Sequence, residues 1–291
     1  MYWVERFSKN RTKKPNQPYM SWKTQLFNKK DIDELYHFIV DTIHTSYISY
    51  YPEEAINLFI EYSNKHDILD DAENNYVIVI KDNNSIVATG SLIYTRIKRV
   101  YVSPKYQGKG LGKLIMNELE AKARANNLKL VELHSSLFAK QFYDSLHYKM
   151  FKIGKVDAEN GELLYYQRMA KRLDQNHHTT KYNFHKKQFN VILNDGVDVE
   201  VNTETIFNFY QNGELIYAEY KGGKVKYGEI FGLVEHDSVQ FYYSQVNFED
   251  GKNMGSSKDE IKLLANNKIQ LIDSWEWKSK PGKGLCIMEE Q

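Results

Sequence analysis

A single cysteine in 291 residues, Cys286, excludes an internal disulfide and points to a reducing compartment, the cytoplasm. Charge of neither sign prevails. The 39 basic and 38 acidic residues leave a net charge of +1, too little for the broad electrostatic footprint of a nucleic-acid binder. No apolar run approaches the length needed to span a bilayer, so no membrane partner is expected. Residues 1–20 carry Arg6, Lys9, Arg11, Lys13 and Lys14 but lack the continuous apolar segment and small-residue cleavage site of a secretory signal. They read as a basic extension. Nine histidines beside one cysteine show no metal-ligand spacing, and the adjacent side chains of His177 and His178 diverge, so no metal is expected.

What is present is the composition of a globular chain, 42% hydrophobic and 26% charged, and longer than one typical core supports. Two domains are expected. The boundary falls where Lys171 to Thr180 turns polar and loses periodicity, giving a first domain at 21–173, a linker at 174–180 and a second domain at 181–291. Such a linker predicts few contacts across the boundary.

The most informative stretch runs from Val100 to Gly112, Val-Tyr-Val-Ser-Pro-Lys-Tyr-Gln-Gly-Lys-Gly-Leu-Gly. Val100 and Val102 alternate as in a strand, Pro104 ends the ladder, and Leu111, Leu114, Ile115 and Leu119 recur at helical spacing. Gly108, Gly110 and Gly112 therefore sit at a helix entrance, where converging N–H groups and the positive helix end attract an anion. Their alternate spacing fits neither the nucleotide-binding P-loop nor the dinucleotide fingerprint.

Upstream, Trp22 to Phe27 reads as a strand, and Asp31 with Glu34 forms a capping-box pattern before the apolar stripe Ile32, Leu35, Ile39 and Ile43. A hydroxylated, aromatic stretch, His44 to Pro52, follows; it is either an acceptor wall or a connector facing the core. Pro52, Glu53 and Glu54 open a second helix, and Tyr76–Ile80 with Ile86–Tyr94 form a hairpin. Ile97–Val102 extends the sheet. After the glycine loop and its helix come a strand at 128–134, a short helix at 138–146, and strands at 148–153 and 163–169.

Gln107, Gly110 and Gly112, preceded by an apolar strand, resemble the acetyl-CoA signature of the GNAT acetyltransferases, Gln/Arg-x-x-Gly-x-Gly/Ala. A second family motif is matched by Ala139, Phe142, Tyr143 and the aromatic Tyr148, with Ser136 where the family often has Asn and His147 where it has Gly. The resemblance covers about 21–173. It implies an α/β (α+β) domain with a mixed, mostly antiparallel sheet, and transfer of acetyl from acetyl-CoA to a primary amine on a small molecule or peptide. On that basis Gln107, Gly108, Lys109, Gly110, Leu111 and Gly112 would hold the pyrophosphate. Val100, Tyr101 and Val102 would pair with the pantetheine arm, and Ser136 and Ala139 would contact it. Tyr143 matches the family's general acid. Glu132 and His134 share one strand face, so either could serve as the base, directly or through water.

From 181 onward, short alternating strands are broken at Asn212-Gly213, Gly222-Gly223, His236-Asp237, Asp250-Gly251, Asn266-Asn267 and Pro281-Gly282. They predict an all-β, up-and-down antiparallel barrel of about eight strands, lipocalin-like, either filled or holding one small ligand. Thr205 to Tyr210 and Ala218 to Lys224 resemble small bacterial proteins labelled N-acetylglutamate synthase, but this half has no second phosphate loop. Acetyl transfer belongs to the first domain. The competing function is a non-catalytic sensor of acetyl-CoA or of a small ligand, with the barrel as binding module.

Overall fold

The computed structural model describes residues 22–157, 163–174 and 180–291. The basic extension and most of the proposed linker lie outside these. The first domain runs β1 (Gln25–Leu26), α1 (Ile32–Tyr47), α2 (Glu53–Glu61), α3 (Lys65–Asn74), β2 (Tyr76–Asp82), β3 (Ser85–Ile93), β4 (Arg96–Val102), α4 (Leu111–Ala125), β5 (Leu130–Ser136), α5 (Lys140–Ser145), β6 (Lys149–Asp157) and β7 (Leu163–Arg172). Its sheet has the order β1-β2-β3-β4-β5-β7-β6, and only the β4–β5 pair is parallel.

Two details depart from the sequence pattern. The capping box does not form: Asp31 makes no side-chain cap, and Asp31 and Glu34 instead accept hydrogen bonds from the Lys81 ammonium at 2.8 and 3.1 Å. Glu34 also accepts from the Ile86 N–H at 2.7 Å, so the acidic pair ties α1 to the hairpin. Helix α3, which the pattern does not show, is opened by Asn64, whose side chain accepts from the Asp67 N–H at 2.9 Å. Its buried residues are Ile68 and Asp71, so it has almost no apolar stripe to read.

Alternation along β5 and β7 fixes what covers each face. Val131, Leu133 and Met169 pack with α4 in the main core, while Leu130, Glu132, His134, Arg168 and Ala170 lie on the opposite face. That opposite face is shared. Helices α1–α3 cover it over β2 to β4, with Leu35, Ile39, Ile43, Ile68 and Val79 in one cluster. The second domain covers it over β5 and β7, through Leu130, Ala170, Phe231, Leu233 and Tyr242.

The second domain comprises β8 (Lys187–Gly196), β9 (Ile206–Asn212), β10 (Leu215–Gly222), β11 (Val225–Glu235), β12 (Ser238–Asn247), β13 (Lys252–Leu263), β14 (Ile269–Trp277) and β15 (Lys283–Glu290). They close into one antiparallel barrel, with hairpins at the predicted turns. Phe189, Phe209, Phe241 and Leu271 fill the interior. A residual space of about 50 Å³ beside Glu200, Tyr220, Asp273, Trp275 and Trp277 has room for a few waters only, well below the roughly 300 Å³ at which small-molecule sites begin.

The contacts between domains are many, contrary to the reading of the linker. Besides the apolar cluster, Arg168 bonds Glu229 at 2.6 Å, Arg172 bonds Glu214 at 2.6 Å and Glu235 at 2.7 Å, and Lys129 bonds Glu235 at 2.6 Å. A polar linker reports only on its own solvation. The faces it joins are set by residues far from it in sequence.

Candidate active site

β4 and β5 are in register only at Arg96↔Glu132 and Ile97↔Leu133, and no ladder joins them further on. Two features drive them apart. On its other edge β4 carries a bulge, where Tyr101 pairs with Thr89 but Lys98 pairs with Ser91, and Arg99 takes φ +51°. The extra residue lets Ile97, Val100 and Val102 all face α4, while Lys98 and Tyr101 face the side of α1–α3. Residues 98–102 thus offer an unpaired strand edge, open to an extended ligand.

The splay opens a cavity of about 510 Å³. Val100, Tyr101, His134, Ser136, Ala139 and Tyr143 all line it, so residues widely separated in the chain meet at one place. Tyr47 joins them, which puts part of the aromatic stretch after α1 in the cavity wall; Tyr51 and Phe59 pack behind it. A second cavity of about 500 Å³ adjoins it along the domain boundary and shares Asp67, Arg96, Lys98 and Lys252. Its walls include Glu132 and Arg168 from the first domain and Tyr227, Glu229, Asn253 and Met254 from the barrel.

The glycine loop lies at the far end of β4. Gly108 and Gly110 adopt φ +73° and +89°, conformations that side-chain-bearing residues rarely take. Gly110 precedes α4, whose first-turn N–H groups have no carbonyl partner within the helix. Gln107 donates from its side chain to the Val102 carbonyl at 3.1 Å, and Lys109 lies 4.8 Å from the centre of the Tyr106 ring. Leu111 is buried in the core under α4. Gly112 has a packing role as well, since a Cβ there would sit 3.1 Å from the Phe142 ring. Through that contact the glycine turn is seated directly on α5, which carries Tyr143.

Both departures from the family pattern keep their geometry. Ser136 accepts from the Ala139 N–H at 3.3 Å, capping the turn into α5. His147 takes φ +69°, the conformation a glycine would supply, and the Tyr148 N–H closes the turn on the Tyr143 carbonyl at 3.1 Å.

Tyr143 is buried, and burial with the neighbouring Tyr47 pushes its phenol well above the ordinary range, so it stays protonated. The two candidate bases share a face as expected, but their surroundings withdraw proton affinity. Burial would raise Glu132, yet Arg96 at 2.6 and 2.8 Å and Arg168 at 2.9 Å outweigh it and hold the carboxyl far below its usual value. His134 stacks on Tyr166 with ring centres 4.7 Å apart. Its ring is exposed to the cavity, and desolvation by the surrounding cavity walls, with Arg96 next in weight, lowers it to about 3. The basic residues of this floor, Arg96, Lys98, Arg99 and Arg168, were not singled out by motif or spacing. The run Arg96-Ile-Lys-Arg99 inside a strand was the available signal.

A family model described as an acetyltransferase (GNAT) domain matches residues 47–173, and one described as an avidin-like protein matches 182–291. An uncharacterized acetyltransferase of Streptococcus pyogenes serotype M1 is 31% identical over 116 residues, which is 38% of this chain and 78% of the relative. The chain belongs to the GNAT acetyltransferases. Among solved structures, a GCN5-related N-acetyltransferase from Rhodopseudomonas palustris is 20% identical with a TM-score of 0.48, covering 52% of this chain and 95% of the other. The PaiA N-acetyltransferase of Thermoplasma acidophilum, solved in complex with coenzyme A, is 18% identical with a TM-score of 0.43, covering 53% and 99%. The barrel's match refines the lipocalin-like expectation to avidin-like; both are closed eight-stranded, up-and-down designs. The GNAT assignment rests on the first domain, which carries the glycine loop, the strand splay and Tyr143. Among the described residues no cluster of side chains suits a metal ion, and no helix is long and apolar enough to cross a membrane.

Proposed function

We propose that this protein transfers acetyl from acetyl-CoA to the primary amine of a small molecule held between its two domains. The observation that carries the reading is the single cavity at the β4–β5 splay, lined by Val100, Tyr101, Ser136, Ala139 and Tyr143. Acetyl-CoA would set its pyrophosphate on the 107–112 turn and run its arm along the open edge of β4, which brings the thioester to that cavity.

As the tetrahedral intermediate collapses, the C–S bond breaks and charge appears on sulfur. A thiol of this kind titrates near ~8.5, so a phenol that keeps its proton until then can donate to the departing thiolate. Tyr143 has that role. On the acceptor side, Glu132 positions Arg96 and Arg168 rather than taking protons. His134 is neutral and accepts a hydrogen bond from the amine or from a water beside it. The guanidinium groups that lower His134 lower an ammonium in the same place, so the free amine is reached without a strong base.

A volume of about 510 Å³, with a neighbour of about 500 Å³, matches small-molecule sites. The barrel contributes Lys252 to the wall of the cleft, which narrows the approach from that side. The test has two stages: calorimetry with acetyl-CoA and CoA, then a screen of small amines and peptides for release of free CoA. Absence of CoA binding would sink the reading. Acetylation of peptides alone, with every small amine inert, would move the acceptor site out of the cleft.

A further inference from the structure

Lys98 stands at the junction of the two cavities and lines both. It is on β4, two residues before Val100, at the inner end of the strand edge along which the acetyl arm would lie. Its side chain is about one-third accessible, 36%, and its ammonium donates to Asp71 at 3.2 Å. Asp71 is already engaged by Arg99. One carboxylate thus serves two cations. The ionisable groups that line the two cavities with Lys98 include Asp67, Asp70 and Asp71 from α3, Arg96 and Arg99 from its own strand, Glu132 and His134 from β5, Arg168 from β7, and Glu229 and Lys252 from the barrel. Burial, then repulsion by Arg99, lowers the Lys98 ammonium despite Asp71, so more of it exists as the free amine than at an exposed lysine.

We propose that Lys98 is a self-acetylation site, at which the enzyme's own amine takes the acetyl group when no acceptor occupies the cleft. The neutral Nζ attacks the thioester carbonyl carbon, forming a C–N bond as the C–S bond breaks. CoA leaves as the thiol with the proton from Tyr143, and the proton lost by nitrogen passes through Asp71 or water to restore the phenol. The product is a neutral amide on Lys98 and free CoA, with nothing oxidised or reduced. Acetyl-Lys98 no longer competes with Arg99 for Asp71, and it occupies the cleft floor where an acceptor amine would approach. Self-acetylation would therefore mark and slow an enzyme that has cofactor but no substrate.

The proposal rests on the cavity being the thioester site, and the experiment separates the two claims. Full-length protein is incubated with acetyl-CoA alone, digested, and the acetylated lysines are mapped by mass spectrometry over time. The expected result is one dominant acetyl group on Lys98, forming at a rate independent of protein concentration and suppressed by excess CoA. Lys98→Arg should lack that adduct, and Tyr143→Phe should form it at least about 100-fold more slowly, the low end of general-acid effects. Acetyl-CoA binding by calorimetry with no adduct at Lys98 overturns the self-acetylation and leaves the acetyltransferase reading standing. Acetylation spread over exposed lysines, unchanged in Tyr143→Phe, overturns it equally. No binding at all removes its foundation.

Discussion

Arg168 ties the domains and the cleft floor together, so Arg168→Met is the sharpest single perturbation of the architecture. The guanidinium is only 2% exposed and bonds Glu132, also 2% exposed, at 2.9 Å and Glu229, 15% exposed, at 2.6 Å. Removing one member of such a buried pair typically costs ~3–5 kcal/mol, because a desolvated charge is left without its partner. Here each carboxylate retains something: Glu132 keeps Arg96 at 2.6 Å, and Glu229 keeps the Tyr227 hydroxyl at 2.5 Å. The expected loss is therefore at the lower end, about 3 kcal/mol. Urea unfolding followed by fluorescence would measure it, with Arg168→Met/Glu132→Gln as the paired control. That double variant should recover part of the loss, since the orphaned charge is gone. The pH dependence has a definite sign. Glu132 is depressed in the fold, so its contribution is present above the unfolded carboxyl value and is lost as pH falls through the lower folded value. Without Arg168 the depression is smaller, so the gap between wild type and variant should narrow from about pH 5 toward about pH 2. A loss below about 1 kcal/mol, or a gap that widens in acid, would refute the view of Arg168 as a buried clamp.

The remaining expectations concern the cofactor turn, the acid and the barrel. Gly110→Val should weaken acetyl-CoA binding by at least about tenfold, since a branched residue at φ +89° costs on the order of 1–2 kcal/mol and swings the turn's N–H groups away; calorimetry on a variant shown to be folded checks it, and unchanged affinity would dismiss the turn as a phosphate site. Tyr143→Phe should keep the fold and the acetyl-CoA affinity while turnover drops by roughly 10²- to 10⁴-fold, with a smaller loss for a more acidic leaving thiol; wild-type single-turnover rates at every pH would reduce the phenol to packing. In the barrel, burial pushes Asp273 up to about 7, beside Asp259, which burial also raises. A carboxyl raised in the fold costs stability as pH climbs from the unfolded value through the folded one, so Asp273→Asn should be the more stable protein at about pH 8 and lose that advantage near about pH 4. Parallel stability curves for the two proteins would contradict the shift.

Local signals in the sequence carried local structure. The turn at Asn212-Gly213 has Gly213 at φ +62°, and Gly222-Gly223 has φ +113° and +63°, so residues chosen for their backbone freedom announced the hairpins. The strand, glycine turn and helix around Gln107 to Gly112 were legible for the same reason. What the chain did not disclose was pairwise electrostatics. Glu132 reads as a base because it shares a strand face with His134, but Arg168, which answers it, pairs across the sheet with His134 and belongs to a strand more than thirty residues on. Asp31 and Glu34 read as a capping box, yet Lys81 reaches them from the hairpin and wins, because a charged tertiary partner outcompetes a local N–H. Helix α3 escaped notice because its inward residues are Ile68 and Asp71, and an aspartate bonded to Arg99 and Lys98 has no hydrophobic signature.

The docking of the barrel decides more than stability. The sheet of the first domain has one face under α4 and another divided between α1–α3 and the barrel, and the cleft is the gap left between those two covers. Its floor is fixed by β4 and β5, where Arg96 and Glu132 are register partners. Its walls come from α3, through Asp67 and Asp71, and from β13, through Lys252 to Met254. A loop would make a cheaper wall, but in a closed barrel β13 is paired on both sides, and the ion pairs from Arg168 and Arg172 pin the barrel at two points along β7. The position of Lys252 relative to Tyr143 is thus set by packed strands and helices of the two domains. Under the proposed function, acceptor selection would follow from barrel side chains and acetyl-CoA recognition from the first domain, so substitutions on β13 should alter which amines are used without altering the affinity for the donor.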